Sequence, residues 1–172
     1  MNVENKTYHY TAAFSLWVPK LHNYYQMQIG KAIKHNPSLN RPFSSVFTAA
    51  TYNLGPQTVC LPHRDEANLS YGMCVITALG NFDPCKGGHL VTEDGKLIIE
   101  FPSGSTILIP SAIMTHSNTP IAADEERCSF TQYTASALFT WVDHGFQTMS
   151  SLKSQLELER KHLDYFKEKK ER

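Results

Sequence analysis

Between Phe43 and Thr134 the chain breaks into short runs rich in β-branched and aromatic residues, separated by glycine, proline, asparagine and aspartate. Eight runs follow one another: SVFTAATYN, TVCLPHRD, GMCVITAL, HLVTED, KLIIEF, STILIP, AIMTHSN and RCSFTQYTA. Branched and aromatic side chains suit a pleated, half-buried surface, and the residues between them suit turns. Asp94-Gly95 is a tight-turn pair between two of the runs. No helical spacing intervenes, which argues for a β-sandwich or jelly roll over an α/β fold.

The flanks read differently. Leu21, Tyr24, Tyr25, Gln28, Ile29, Ala32 and Ile33 recur with a helical period, opening near Pro19 and closing before Pro37. At the other end, Leu152, Leu156, Leu163 and Phe166 stand among alternating charges, which predicts an amphipathic surface helix packed on the sandwich. With 172 residues and 41% hydrophobic composition, the chain suits one domain with a real core. The expected organisation is N-terminal helical support over 1–42, a β core over 43–147 and a C-terminal helix over 148–172.

Sixteen basic and sixteen acidic residues cancel, but unevenly: residues 1–42 carry five basic and one acidic, 43–150 four and ten, and 151–172 seven and five. A core of that balance does not attract polyanions by bulk charge and tolerates a bound cation, so nucleic-acid contact must come from the ends or from a local groove. Cys60, Cys74, Cys85 and Cys128 form no Cys-X-X-Cys pair and read as reduced thiols. The N-terminus lacks the order of a signal peptide, and no apolar run approaches the ~20 residues that span a bilayer. An intracellular protein, nuclear or cytoplasmic, without a membrane or an obligate protein partner, is expected.

Chemistry concentrates in PHRDEANLSYG, residues 62–72. On a strand, residues two apart share a face, so His63 and Asp65 present an imidazole and a carboxylate together while Arg64 points away. A third metal ligand must come from another strand, and His116, in STILIPSAIMTHSNTPI, is the best candidate. Two histidines and a carboxylate on one side of a metal form the facial triad suited to non-haem Fe(II).

Eleven residues after His116, Arg127 and Ser129 share a strand face. A planar guanidinium with a hydroxyl matches the carboxylate of a small diacid; the alternative is a surface arginine paired with Glu125 or Glu126. Gly87 and Gly88 open a strand where backbone must pass close to something or turn tightly, and His89 behind them could reach a bound carboxylate or be an ordinary sandwich histidine.

With His63, Asp65, His116, Arg127 and Ser129 in this order, the chain resembles the Fe(II)- and 2-oxoglutarate-dependent dioxygenases over roughly residues 43–147. HRDEAN, GGHL, FPSGSTILIP and RCSFTQY carry the resemblance, and within that superfamily they look like the TET/JBP group, in particular its forms in mushroom-type fungi. The resemblance implies a mainly β double-stranded β-helix (jelly roll) with flanking N- and C-terminal helices. It implies that His63, Asp65 and His116 hold Fe(II), that Arg127 and Ser129 bind the far carboxylate of 2-oxoglutarate, and that His89 helps at the chelating end. Asn68 falls where the group hydrogen-bonds its target base, and Tyr133 where an aromatic ring stacks on it.

The implied enzyme oxidises a methyl group on a base of methylated DNA or RNA, 5-methylcytosine being the type substrate. O2 is the co-substrate, ascorbate assists, and succinate and CO2 are released; in a nucleus this is the chemistry of DNA demethylation. Ala135 stands where the animal enzymes have a base-contacting histidine, their cysteine-rich zinc region has no counterpart, and Arg41 is the one candidate for their N-terminal cofactor arginine. Two alternatives follow: a 2-oxoglutarate-dependent hydroxylase of a protein side chain or small metabolite, and an inactive jelly-roll interaction module.

Overall fold

The computed structural model describes residues 11–39 and 45–170, the side chains of 162–170 excepted. Arg41 lies outside the described residues.

A helical stretch over 11–17 leads into helix α1 (Pro19–His35), which has proline at its start and Lys34 and His35 in its last turn. Proline's missing N–H costs nothing in a first turn, and cations suit the free carbonyls of the last. The helix buries His22, Tyr25, Gln28, Ile29 and Ala32, one face at three- and four-residue spacing, as the sequence predicts.

Among the described residues seven strands follow: β1 (Ala49–Asn53), β2 (Cys74–Asn81), β3 (Leu90–Thr92), β4 (Leu97–Ile99), β5 (Thr106–Ile109), β6 (His116–Asn118) and β7 (Glu126–Tyr133). They form a four-stranded sheet, β1-β7-β2-β5, and a three-stranded sheet, β4-β3-β6. Every ladder within them is antiparallel. Helices α2 (Ser136–Asp143) and α3 (Met149–Lys170) complete the chain. The architecture is therefore mainly antiparallel β with flanking helices, and no helix among the described residues is long and apolar enough to cross a membrane.

Alternation along β2 assigns the two faces of the larger sheet. Val75 and Leu79 join a cluster with Phe14, Tyr25, Ile29, Phe47 and Phe139, on the helical side. Cys74, Ile76 and Ala78 join Leu90, Phe101 and Ile109, which brings in the smaller sheet. Burial on both faces explains why β2 reads as a nearly continuous apolar run instead of alternating. Each large aromatic on the helical side contributes roughly 1.5–3 kcal/mol by leaving water. Tyr25, 1% exposed, still satisfies its hydroxyl, which accepts the Met73 N–H at 3.3 Å; burial pushes its pKa up to about 12.

On β7, Phe130 faces the helices, so Arg127, Ser129, Thr131 and Tyr133 face the other way. In register, Ser129 lies between Asn53 and Ala78, and Thr131 between Thr51 and Ile76. A polar patch on β1 and β7 (Thr51, Asn53, Ser129, Thr131) thus lies beside the apolar Ile76 and Ala78 of β2, and it lines a cavity.

Three expectations need correction. TVCLPHRD is not a strand: it meets its neighbours through single main-chain hydrogen bonds at Thr58, Cys60 and Asp65 and through the isolated bridge of His63 with His116. Pro62 has no N–H to give a ladder, and the Cys60 N–H is spent on the side chain of Asn118 (2.8 Å). The tail does form a helix, but residues 153–161 are exposed throughout and Leu156 is 55% exposed, so this part is not packed on the sheets. Its apolar stripe is one residue wide among charges, too little to compete with solvation. Helix α2, unanticipated, uses Phe139 and Val142 to close the core beside α1.

Candidate functional site

His63 and His116 come together by backbone pairing. Each donates its N–H to the other's carbonyl, at 3.1 and 3.0 Å, which sets both side chains on one side of the bridge. Their rings lie 4.4 Å apart between centroids. Both rings are held in the same way: Nδ1 of His63 donates to the carbonyl of Leu61 (2.7 Å), and Nδ1 of His116 to that of Met114 (3.0 Å). A carbonyl only accepts, so Nδ1 carries a proton and Nε2 is the nitrogen left to meet a ligand.

Asp65 supplies the third donor. Its Oδ1 stands 3.6 Å from His63 Nε2, and ligand atoms of His63, Asp65 and His116 all lie within 4.8 Å of one another. The Asp65 N–H is fixed on the carbonyl of Ser111 at 2.9 Å. Arg64 does point away, although no strand alternation directs it there. Its Nε donates to Thr115 Oγ1 (2.9 Å) and its Nη2 pairs with Asp94 (3.2 Å), which ties the metal-motif loop to the β3–β4 turn. The Asp94 carboxylate also accepts the Thr115 N–H at 2.6 Å, the main cause of its lowered pKa.

Two imidazoles with Nε2 turned toward one point and one carboxylate, converging from one side, fit a divalent first-row metal and leave its other side open.

A cavity of about 420 Å³ adjoins the three donors, and its walls include Asn68, Ile76, Arg127, Ser129, Thr131 and Tyr133. At the far end Arg127 is 2% exposed. One Nη donates to the carbonyl of Thr58 at 3.2 Å, while Nε is buried without a partner. Among the described residues no carboxylate pairs with it. Glu125 instead accepts the N–H groups of Asp83 (2.7 Å) and Ala122 (2.9 Å), which removes the reading of a surface ion pair. Burial pulls the pKa of the guanidinium down from its ordinary value. A buried cation with an orphaned donor fits an anion arriving from the cavity.

Ser129 sits on the same face, 5% exposed, and its Oγ accepts from Asn53 Nδ2 at 2.9 Å. With a lone pair used in this way, the hydroxyl proton is free to turn toward a ligand. Gly88, at φ +70, leaves room for the arginine stem: a Cβ there would stand 2.6 Å from the Phe82 ring and 3.3 Å from Arg127 Cδ. The close approach expected of GGHL is therefore to the Pro120 carbonyl at Gly87, and to the Phe82 ring with the Arg127 stem behind it at Gly88.

The remaining candidates divide. Asn68 and Tyr133 line the cavity, and Ala135 lies directly opposite Asn68 in an isolated bridge. His89 is not among the lining residues; its Nδ1 lies 3.2 Å from Thr119 Oγ1, and Leu90 forms the wall instead. Asn53, Ser111 and Gly88 were not singled out for these roles by sequence. Alternation along AATYN would have placed Asn53 beside Ser129, whereas nothing local marks Ser111.

No protein-family model matches the sequence, and no curated protein matches it either. Among solved structures, NgTET1 in complex with 5mC DNA aligns over 61% of this chain at 18% identity with a TM-score of 0.48. This chain spans 42% of that protein's length. The viral collagen prolyl hydroxylase vCPH of Paramecium Bursaria Chlorella virus-1, in its 2OG complex, aligns over 64% of this chain and 70% of its own, at 11% identity and a TM-score of 0.37. Likeness at this level transfers no residue roles.

Proposed function

We propose that the protein is an Fe(II)- and 2-oxoglutarate-dependent dioxygenase, with the strands arranged as a double-stranded β-helix. One observation carries the reading: a single cavity joins three convergent metal donors at one end to a buried, carboxylate-free arginine at the other. His63, Asp65 and His116 would hold the metal through Nε2, a carboxylate oxygen and Nε2. Arg127 and Ser129 would bind the distal carboxylate of the keto acid by charge-assisted hydrogen bonds. Bound there, the metal and keto acid supply an oxidation in which O2 is consumed, 2-oxoglutarate becomes succinate and CO2, and a substrate C–H becomes C–OH. The chain's own part is to orient the keto acid and to aim the C–H bond.

For the substrate, Asn68 and Tyr133 in the cavity wall support a methylated base of DNA or RNA, 5-methylcytosine or a close relative, presented out of its stack. A second reading, hydroxylation of a protein side chain or small metabolite, is favoured by charge. Residues 43–150 carry four basic residues against ten acidic; of the four, Arg127 is buried, and Arg64 and Lys86 are paired with Asp94 and Asp83. Few cations are left to meet phosphates.

Succinate release from 2-oxoglutarate, measured with Fe(II) and ascorbate and with or without a methylated oligonucleotide, tests both. Release stimulated by the oligonucleotide, with a hydroxymethyl base found by mass spectrometry, is the expected result. Release with an unchanged base would leave the oxygenase and move the substrate to the second reading. No release and no metal binding would leave an inactive module.

A further inference from the structure

We infer that Asn68 and Ser111 form a clamp that positions the Asp65 carboxylate for metal binding. The inference rests on the metal reading above and concerns the side of Asp65 that faces away from the histidines.

The two oxygens of Asp65 are divided. Oδ1 faces His63 Nε2, whereas Oδ2 accepts from Asn68 Nδ2 at 3.3 Å. The same amide nitrogen donates its second hydrogen to Ser111 Oγ at 3.1 Å. Since an ionised carboxylate only accepts, the amide orientation is fixed by chemistry: NH2 must face Asp65. Ser111, 1% exposed, thus grips Asp65 twice, through Asn68 and through its own carbonyl on the Asp65 N–H.

The clamp is anchored on the scaffold. Asn68 donates its N–H to the carbonyl of Asp65 (2.8 Å), closing the turn, and the flanking residues pair with the end of β7: Leu69 N–H to the Thr134 carbonyl (3.2 Å) and Ser136 N–H to that of Ala67 (2.9 Å). Asn68 and Asp65 are therefore set relative to each other by main-chain bonds. One carboxylate oxygen is held and the other offered, so Asp65 meets a metal as a one-oxygen ligand in a fixed direction.

A consequence concerns substrate. With both amide hydrogens spent, Asn68 can meet a molecule in the cavity only through Oδ1, an acceptor. It is a positioning residue first, and whatever it touches in the cavity must bring a donor.

Co(II), added alone to the 172-residue chain and followed by its visible absorption, is the probe. The wild type should bind with a band that His63→Ala removes. Asn68→Ala should weaken binding on the order of 10–100-fold and shift the band, because the carboxylate loses its direction. Ser111→Ala should weaken it less, and the double variant should be no weaker than Asn68→Ala alone, since Ser111 Oγ acts through the amide. A band shift separates this role from a merely structural one. Unchanged affinity and band in Asn68→Ala would overturn the clamp while leaving the metal site standing. A wild type that binds no Co(II) would overturn the metal reading and the clamp with it. Should Asn68→Ala fail to fold, Ser111→Ala carries the test, and an unchanged band there counts against the clamp.

Discussion

The two ends of the cavity are built on different principles. At the proposed metal end, the side chains of His63 and Asp65 are 42% and 30% exposed and sit on a loop that meets the sheets through scattered hydrogen bonds and an isolated bridge. At the anion end, Arg127 and Ser129 are 2% and 5% exposed on a central strand of the larger sheet. A loop residue can be fixed as well as a strand residue if its backbone groups and ring are individually bonded, as those of His63 are. The open end would therefore carry chemistry with little stake in stability, whereas the closed end is set into the larger sheet.

The sharpest way to break this contrast is to remove a metal donor. His63→Ala or Asp65→Ala should lower succinate release by at least about 100-fold, because a three-donor site that loses one donor holds its metal poorly. Thermal unfolding should move by no more than ~2 °C, as for other exposed positions. A large fall in melting temperature would show that the loop is part of the core after all.

Arg127→Met tests the closed end. Losing charge-assisted hydrogen bonds of about 1.5–3 kcal/mol should raise the 2-oxoglutarate requirement roughly 10- to 150-fold. Without ligand the variant should be as stable as the wild type or more so, since a desolvated cation with an orphaned Nε gives way to an apolar chain of similar length. A strongly destabilised variant would instead make the guanidinium a structural group, and the anion reading would lose its main support.

Legibility in the sequence follows the same division. The shared face of Arg127 and Ser129 was readable because β7 is a true strand, with period two imposed by its neighbours in the sheet. His63 and Asp65 were assigned correctly to one cluster by an argument that does not hold, since their loop has no alternation; backbone bonds to Ser111 and His116, remote in sequence, bring them together. For the same reason Ser111 was invisible: its role arises at a crossing of two segments, and no local pattern encodes a crossing. His89 shows the converse. In the GGHL motif Gly87 packs against the Pro120 carbonyl, Gly88 against the Phe82 ring and the Arg127 stem, and His89 lies against Thr119, so the motif was legible while these neighbours were not.

Gly88→Ala would sharpen the account of the closed end. The left-handed backbone alone costs on the order of 1–3 kcal/mol for a non-glycine residue, and the added methyl meets the Phe82 ring. Unfolding should shift down by roughly 3–8 °C. The 2-oxoglutarate requirement should rise with it, because the Arg127 stem is the second thing displaced. A pure stability loss, with ligand affinity intact, would separate Gly88 from the anion site.

The smallest effect belongs to Ser129→Ala. Its hydroxyl is offered to the ligand by Asn53, whose amide donates to the oxygen and leaves the proton free. Removing it takes away one hydrogen bond of about 1 kcal/mol, so 2-oxoglutarate binding should weaken roughly fivefold, far less than for Arg127→Met. Stability should fall as well, because the Asn53 amide, which lines the cavity, loses its acceptor and must turn to water there. Asn53→Ala should reproduce part of the binding loss without touching Ser129, since the hydroxyl is then free to rotate. If Asn53→Ala binds the keto acid as tightly as the wild type, the hydroxyl needs no such orientation, and the closed end depends on Arg127 alone.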